Sequence, residues 1–366
     1  MNGEAQQAGP LTGVRVIELA AQGPVPFCAM MLADMGARVL RIGRPGEDAG
    51  TPSAIGLAPR DDILLRHREH LAVDLKDPDG IALVRQLTAN ADVLIEGFRP
   101  GVAERLGLGP DVLLASRPSL VYARLTGWGQ TGPNARLAGH DINFLAATGA
   151  LAALGRPGTP PAPPLNLVAD FGGGGMFGAL GIVAALYEAR HSGQGQVVDA
   201  AMVDGVGCLM STVQSLRTAG MWSNDRGANA LDGGAPWYDC YETSDGRYIA
   251  LGCVEPQFFQ GMTALLELDP VYARRQFDRQ AWPSMRRAIA ERIRAQPWQA
   301  WVTRLADTDL CITPVWRGDE AARLPALRAR GSHVDVNGQC QPAPAPRFSR
   351  TPGRPRTPAP PISSTA

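Results

Sequence analysis

The sequence predicts an α/β protein: a Rossmann-like large domain built on a parallel sheet, followed by a smaller α+β domain. Three observations carry that expectation. Short apolar runs rich in β-branched residues alternate with helical stretches from Gly13 to Gly129. A glycine-rich stretch at 172–175 then opens a long apolar helix. From residue 237 onward the pattern changes to a hairpin followed by helices. Strand–helix alternation favours a parallel sheet with helices on both faces, whose ligands sit at the carboxyl ends of the strands.

The elements follow in order. "GVRVIELA" (13–20) reads as a strand, "PVPFCAMMLADMGA" (24–37) as a helix stopped by glycine, and "RVLRIGRPG" (38–46) as a second strand. "DPDGIALVRQLTANADVLIEGF" repeats the theme with an aspartate cap, an amphipathic helix and the strand "DVLIEGF". "SLVYARLTGWG" (119–129) is another strand running into a glycine-rich loop. "RLAGHDINFLAATGAL" (136–151) is a loop entering a helix, and "MFGALGIVAALYEARHSGQG" is a helix ended near Gly193. "QVVDAAMVDGVGCLMSTVQSLRTAGMW" reads as a second long apolar helix, and "SNDRGANALDGGAP" as a flexible linker. "WYDCYETSDGRYIALGCV" (237–254) is a hairpin turning at Ser-Asp-Gly. Helices are expected near 256–266 and 281–305, and the proline-dense tail is expected to lie extended. Residues 1–200 should form the large domain, completed by 330–366. Residues 201–236 should be a linker helix and loop, and 237–329 the small domain.

Composition narrows the function. The 366 residues carry 35 basic and 35 acidic side chains, so neither nucleic acid nor an anionic membrane is an expected partner. No apolar run in the sequence approaches the roughly 20 residues of a membrane helix, and no signal peptide or Ser-Lys-Leu-type ending stands out. The six cysteines form no C-x-x-C pair and read as reduced thiols of a cytoplasmic protein, with no metal site expected. Lys76 is the single lysine, and no P-loop sequence occurs.

"NLVADFGGGGMFG" (166–178) poses the chemical question. Gly173, Gly175 and Gly178 satisfy G-x-G-x-x-G, with Asp199 downstream, yet the first strand–helix unit lacks that fingerprint. Three readings stand: a dinucleotide cradle, a helix start with only packing duties, or a reactive Asp170 beside glycines that make room for substrate. His140, next to Asp141, and Glu255, at a strand end before a proline, are further candidates.

"GHDIN", "NLVADFGGGGMFG", "GQVVDAAMVDG", "RGANALDGGAPWYDCYE" and "VEPQFF" together resemble the α-methylacyl-CoA racemases, a branch of the family III CoA-transferases; "VLIEGFRPGVAERLGLG" and "LTGWGQTGP" resemble the wider superfamily. The resemblance runs from Pro10 to about Ser349. It implies an interlocked homodimer that interconverts (R)- and (S)-2-methylacyl-CoA, with CoA as part of the substrate and no separate cofactor. It also implies that His140 and Asp170 are the catalytic pair, and that Glu255 reaches the partner chain's histidine. Arg44, Arg99 and Arg105 match positions that hold the phosphates and adenine end of CoA. Val73, Leu75, Gly139 and Asp141 match others along the CoA path, and Phe144 stands where close relatives usually carry tyrosine. Removing a proton next to a thioester needs a base, an acid and a donor for the enolate oxygen, the last expected from the Asp141 backbone N–H. The alternative within the superfamily is a CoA-transferase using Asp170 as a covalent nucleophile. Those enzymes generally lack the "GHDIN" histidine and the "EPQFF" glutamate.

Overall fold

The computed structural model describes residues 9–46, 57–58, 61–353 and 355. The extreme N-terminus and the end of the proline-rich tail lie outside the described residues. The chain forms two compact units, one of residues 1–148, 164–210 and 325–366, the other of 149–163 and 211–324.

The first unit is a six-stranded sheet. Its elements are β1 (Arg15–Leu19), α1 (Pro24–Asp34), β2 (Arg38–Gly43), β3 (Arg68–Ala72), α2 (Pro78–Ala89), β4 (Val93–Glu96), α3 (Val102–Arg105), α4 (Pro110–Ser116), β5 (Val121–Thr126), α5 (Asp141–Ala147), a π-helix over Leu167–Met176, α6 (Phe177–Ser192), β6 (Val197–Ala201) and α7 (Met202–Leu209). The strands run in the order β3-β2-β1-β4-β5-β6, and every pairing is parallel. This is the doubly wound order whose direction reverses between β1 and β4, leaving a crevice at their carboxyl ends. One face packs Val16, Val39, Ile95, Val121 and Ala123 under α1 and α6. The other packs Ile17, Leu19, Leu94 and Tyr122 with Val84 of α2 and Leu113 of α4.

Buried charges are paired within this unit. Arg68 Nε donates to Glu18 at 2.9 Å, Arg66 Nε to Asp34 at 2.9 Å, and Arg124 Nε to Glu96 at 3.0 Å. Burial pushes the Glu96 carboxyl up to about 7 even beside Arg124.

The segment 196–222 departs from the expected single helix. Its β-branched start, Val197 and Val198, pairs with β5 as the edge strand β6, and the helical remainder divides into α7 and α8 (Ser211–Thr218). The stretch 167–192 departs in the other direction. Instead of a turn leading into a helix, it is one continuous helix of 26 residues with an 18-residue stretch of mean hydropathy 1.5, long and apolar enough to cross a membrane, where the sequence reading expected no such run. Within the unit it is packed against α1, α7, β5 and β6.

The second unit holds the antiparallel sheet of β7 (Tyr238–Glu242), β8 (Tyr248–Gly252) and β9 (Ile312–Pro314), with α9 (Pro256–Leu265), α10 (Trp282–Arg294), α11 (Trp298–Leu305) and α12 (Gly318–Ala321). Trp237, Phe259, Met285, Ile289 and Trp301 form its core. The helix expected over 281–305 is broken at Pro297, which stands at the start of α11. The supposed flexible linker is a built loop. Asp232 accepts from the backbone of Gly227, Asn229 and Gly234 at 2.9–3.0 Å, and Asn229 is 1% exposed. Residues 149–163, expected in the large domain, belong to this unit, where Arg156 pairs with Asp239 at 2.5 Å and Arg226 Nη1 donates to the Leu154 carbonyl at 3.2 Å. The chain returns to the first unit with α13 (Pro325–Arg330) and a hairpin of β10 (His333–Val336) and β11 (Gln339–Pro342). There Arg66 Nη1 donates to the Pro342 carbonyl at 2.7 Å, so the start of the tail is folded back on the sheet domain.

Candidate active site

The first unit brings His140, Asp141 and Asp170 together. His140 caps α5 in extended geometry, with its N–H donating to Asn143 Oδ1 at 3.0 Å, and its side chain is exposed. Asp141 follows at the first helical position and is 5% exposed. Its Oδ2 accepts the backbone N–H groups of Ala169 at 2.7 Å and Asp170 at 2.8 Å, joining α5 to the first turn of the π-helix. Asp170 is half-buried. Its carboxyl is pushed up to about 6, first by burial and then by the Asp141 charge; a hydrogen bond from Asn166 and the nearness of His140 act in the opposite direction.

A second approach fixes where this carboxyl lies in the sheet domain. Gly23, with φ +67, caps α1 at the carboxyl end of β1, and a Cβ placed there would lie 3.0 Å from Asp170 Oδ2. Asp170 therefore sits at the mouth of the crevice where strand order reverses. Phe171 stacks on Phe27 of α1, with ring centroids 4.4 Å apart, and steadies the same turn.

The glycines after Asp170 do not line an opening for substrate, contrary to the sequence expectation. A Cβ on Gly173 would lie 3.0 Å from the Met202 carbonyl oxygen, and one on Gly174 would lie 2.8 Å from Pro24 Cβ. One on Gly175 would meet Phe27 at 2.6 Å, and one on Gly178 would meet Leu125 at 2.8 Å. They let α1, α7 and β5 close on a wide helix. Nor are they a dinucleotide fingerprint, because they lie inside a helix and not in a strand-to-helix turn. Packing explains Gly173, Gly174, Gly175 and Gly178, and Asp170 is the titratable side chain that precedes them.

The expected CoA contacts divide by exposure. Arg44 follows β2, Arg99 follows β4 and Arg105 ends α3; all three side chains are exposed near carboxyl ends of strands. Val73 is 5% exposed and Leu75 half-buried, both packed with Ile17 and Leu19. Phe144 is 3% exposed, edge-on to Trp128 at 5.0 Å, and against Gly139, whose added Cβ would lie 2.7 Å from its ring. The ring fills the space under the 127–139 loop, so at this position an apolar side chain serves the core. A groove of about 290 Å³ opens at the other end of α5, lined by Trp128, Asn134, Thr148 and Val203, away from His140.

Glu255 belongs to the second unit. It caps α9 ahead of Pro256, exposed, and its charge helps raise the Cys253 thiol, which burial above all pushes up to about 12. The strand end that carries it is clamped: Gln276 Nε2 donates to the Cys253 and Val254 carbonyls at 3.2 and 2.7 Å.

Sequence reasoning missed Gly23, Asn166 and the side chain of Asp141. Gly23 had a signal, as the one glycine in the first strand–helix turn. Asn166 and the Asp141 carboxylate had none, since their roles depend on how two separate segments meet.

The model of CoA-transferase family III matches residues 11–364. The mouse α-methylacyl-CoA racemase is 44% identical over 94% of this chain and 88% of its own, and the human α-methylacyl-CoA racemase 43% identical over the same shares. A crystal structure of a CaiB/BaiF family protein from Brucella suis superposes with a TM-score of 0.81 at 25% identity, covering 98% of this chain and 97% of that one.

Proposed function

The chain belongs to CoA-transferase family III, and we propose that within it the protein is a racemase interconverting (R)- and (S)-2-methylacyl-CoA thioesters. The observation that carries this reading is the placement of Asp170 beside the His140 end of α5, its N–H donating to Asp141 Oδ2 at 2.8 Å, in surroundings whose burial pushes its carboxyl up to about 6. In a racemase each of two groups must take a proton in one direction and give it in the other. A carboxyl poised near neutral pH serves both tasks, and positioned acid–base catalysis of this kind contributes about 10²–10⁴-fold. Similarity to the mouse and human α-methylacyl-CoA racemases, 44% and 43% identical over 94% of the chain, supports this role over that of a covalent nucleophile.

In the proposed cycle His140 and Asp170 stand on opposite faces of the α-carbon. One withdraws the proton, the thioester becomes an enolate, and the other returns a proton to the opposite face. The N–H groups of Asp141 and Ile142, in the first turn of α5, have no hydrogen-bond partner among the described residues and are available to the enolate oxygen. One such donor is worth about 10²–10³-fold. Arg44, Arg99 and Arg105 would bind the CoA phosphates. The reading uses no cofactor beyond the CoA of the substrate.

The working form is proposed to be a homodimer, with Glu255 orienting the imidazole of the partner chain. Exposed Leu165, Leu167, Met176, Leu180 and Tyr187 give the first unit an apolar surface suited to such an interface. Six free thiols are consistent with a reducing, cytoplasmic setting.

The test separates proton transfer from covalent transfer. Enzyme is incubated with a 2-methylacyl-CoA, with and without a carboxylate acceptor, quenched with hydroxylamine or borohydride, and weighed intact. The expected result is an unmodified protein and racemisation indifferent to the acceptor. A trapped adduct at Asp170 with acceptor-dependent movement of CoA would establish the transferase instead.

A further inference from the structure

We propose that the Asp141 carboxylate is the positioning residue of this site: anchored beside His140, it accepts the N–H groups of Ala169 and Asp170 and so sets the spacing between the two proton carriers. The inference rests on the reading of His140 and Asp170 as the catalytic pair, and goes beyond it by assigning the Asp141 side chain a task separate from that of its N–H.

Both elements involved are weak on their own. The helix α5 has seven residues, too few to hold its form without tertiary support. The π-helix begins at Leu167, and its first N–H groups have no acceptor within the helix. A single oxygen, Asp141 Oδ2, satisfies two of them at 2.7 and 2.8 Å, so the carboxylate acts as a cap supplied from another element. A negative charge at that end also complements the helix dipole. Asp141 is 5% exposed, and its second oxygen, Oδ1, has no hydrogen-bond partner among the described residues. The side chain is thus committed to the bridge.

The same placement sets the charge that Asp170 experiences. The charged groups facing its carboxyl are Asp141 and His140 of α5. The helix α1 presents Gly23, Pro24 and Phe27 to this turn, and α7 presents Met202 and Val206 to the π-helix. Asp141 is therefore the anionic neighbour that, after burial, favours the protonated form of Asp170. One residue holds the proton carrier in place and keeps it able to give a proton as well as take one.

Asp141→Asn keeps an amide oxygen to accept the two N–H groups but removes the charge; Asp141→Ala removes both. The experiment measures α-proton exchange of a 2-methylacyl-CoA in D₂O against pH for the full-length chain and both variants, with melting curves alongside. Asp141→Asn is expected to keep measurable exchange with its acid limb moved down by about one pH unit. Asp141→Ala is expected to lose at least about 10-fold more in kcat, with KM little changed. An Asp141→Asn profile superimposable on wild type, or equal losses in the two variants with an unshifted limb, would overturn the proposal. Amide hydrogen exchange on the unsubstituted protein provides a second arm that needs neither variant to fold. The Ala169 and Asp170 N–H groups should be protected, and fast exchange at both would equally overturn it. That arm holds even if the wild type exchanges no α-proton, so failure of the racemase reading is distinguishable from failure of this one.

Discussion

Asp170 carries a cost that comes with its proposed work. Its carboxyl has a folded-state pKa of about 6 against an ordinary value of 3.8, so the folded chain holds the proton more tightly than the unfolded chain. The associated stability is fully present below the ordinary value and is lost as pH rises through about 6. Asp170→Asn, which stays neutral, should therefore be more stable than wild type at pH 7.5, by about 1–2 kcal/mol once partial exposure is allowed for. The difference should fade toward pH 4. Denaturation curves at several pH values check this, and a variant less stable than wild type at pH 7.5 would contradict it. At this scale the sequence offered candidates, Asp170 by its place before the glycine run and His140 and Glu255 through the motifs that hold them. What stayed hidden was the anionic neighbour that adds to burial in raising the Asp170 carboxyl, because Asp141 and Asp170 lie 29 positions apart and meet through a hydrogen bond.

Among the elements, the π-helix and α7 show why glycine patterns misled. The run 172–175 looks like a cradle in sequence, but three-dimensional packing takes up the space at 173–175. Two glycines of α7 offer a matched pair. A Cβ on Gly205 would lie 2.0 Å from the Gly173 carbonyl oxygen, while one on Gly207 meets nothing within 4 Å. Gly205→Ala should cost about 2 kcal/mol or more and displace the turn bearing Asp170, lowering kcat. Gly207→Ala should be neutral or stabilising by up to about 1 kcal/mol, since alanine favours the helix. Melting curves with rate measurements decide, and equal effects at the two positions would contradict the packing described. β1, β2, β4 and β5 were readable as short runs with β-branched residues, whereas β3 was not, since Arg68–Ala72 holds no β-branched residue and is made a strand by its pairing with β2. β6 was not, since its Val197–Ala201 leads without a break into the apolar α7 and only pairing with β5 makes it a strand.

For the molecule as a whole, sequence legibility followed the core and failed at the joins. The α/β character and the later hairpin domain were evident, whereas the grouping of 149–163 with the second unit rests on contacts between segments distant in sequence, such as Arg156 with Asp239, that no local pattern announces. The exposed apolar face around Leu180, 67% exposed, predicts self-association. Leu180→Asp should lower the mass found by sedimentation to that of one chain and reduce racemisation with it, while a fully active wild-type monomer would exclude the dimer. The central claim is that two proton carriers exchange the α-hydrogen through His140 and Asp170, and it meets its most direct test in D₂O. Each pure enantiomer of a 2-methylacyl-CoA is incubated with wild type, His140→Ala and Asp170→Ala, and the α-deuterium content and enantiomer ratio are followed together. The account predicts that wild type mixes the enantiomers from either side with α-deuterium entering as it does so, and that each variant loses racemisation by at least about 10²-fold. Racemisation persisting undiminished in Asp170→Ala, or enantiomers mixing without any solvent deuterium at the α-carbon, would contradict it.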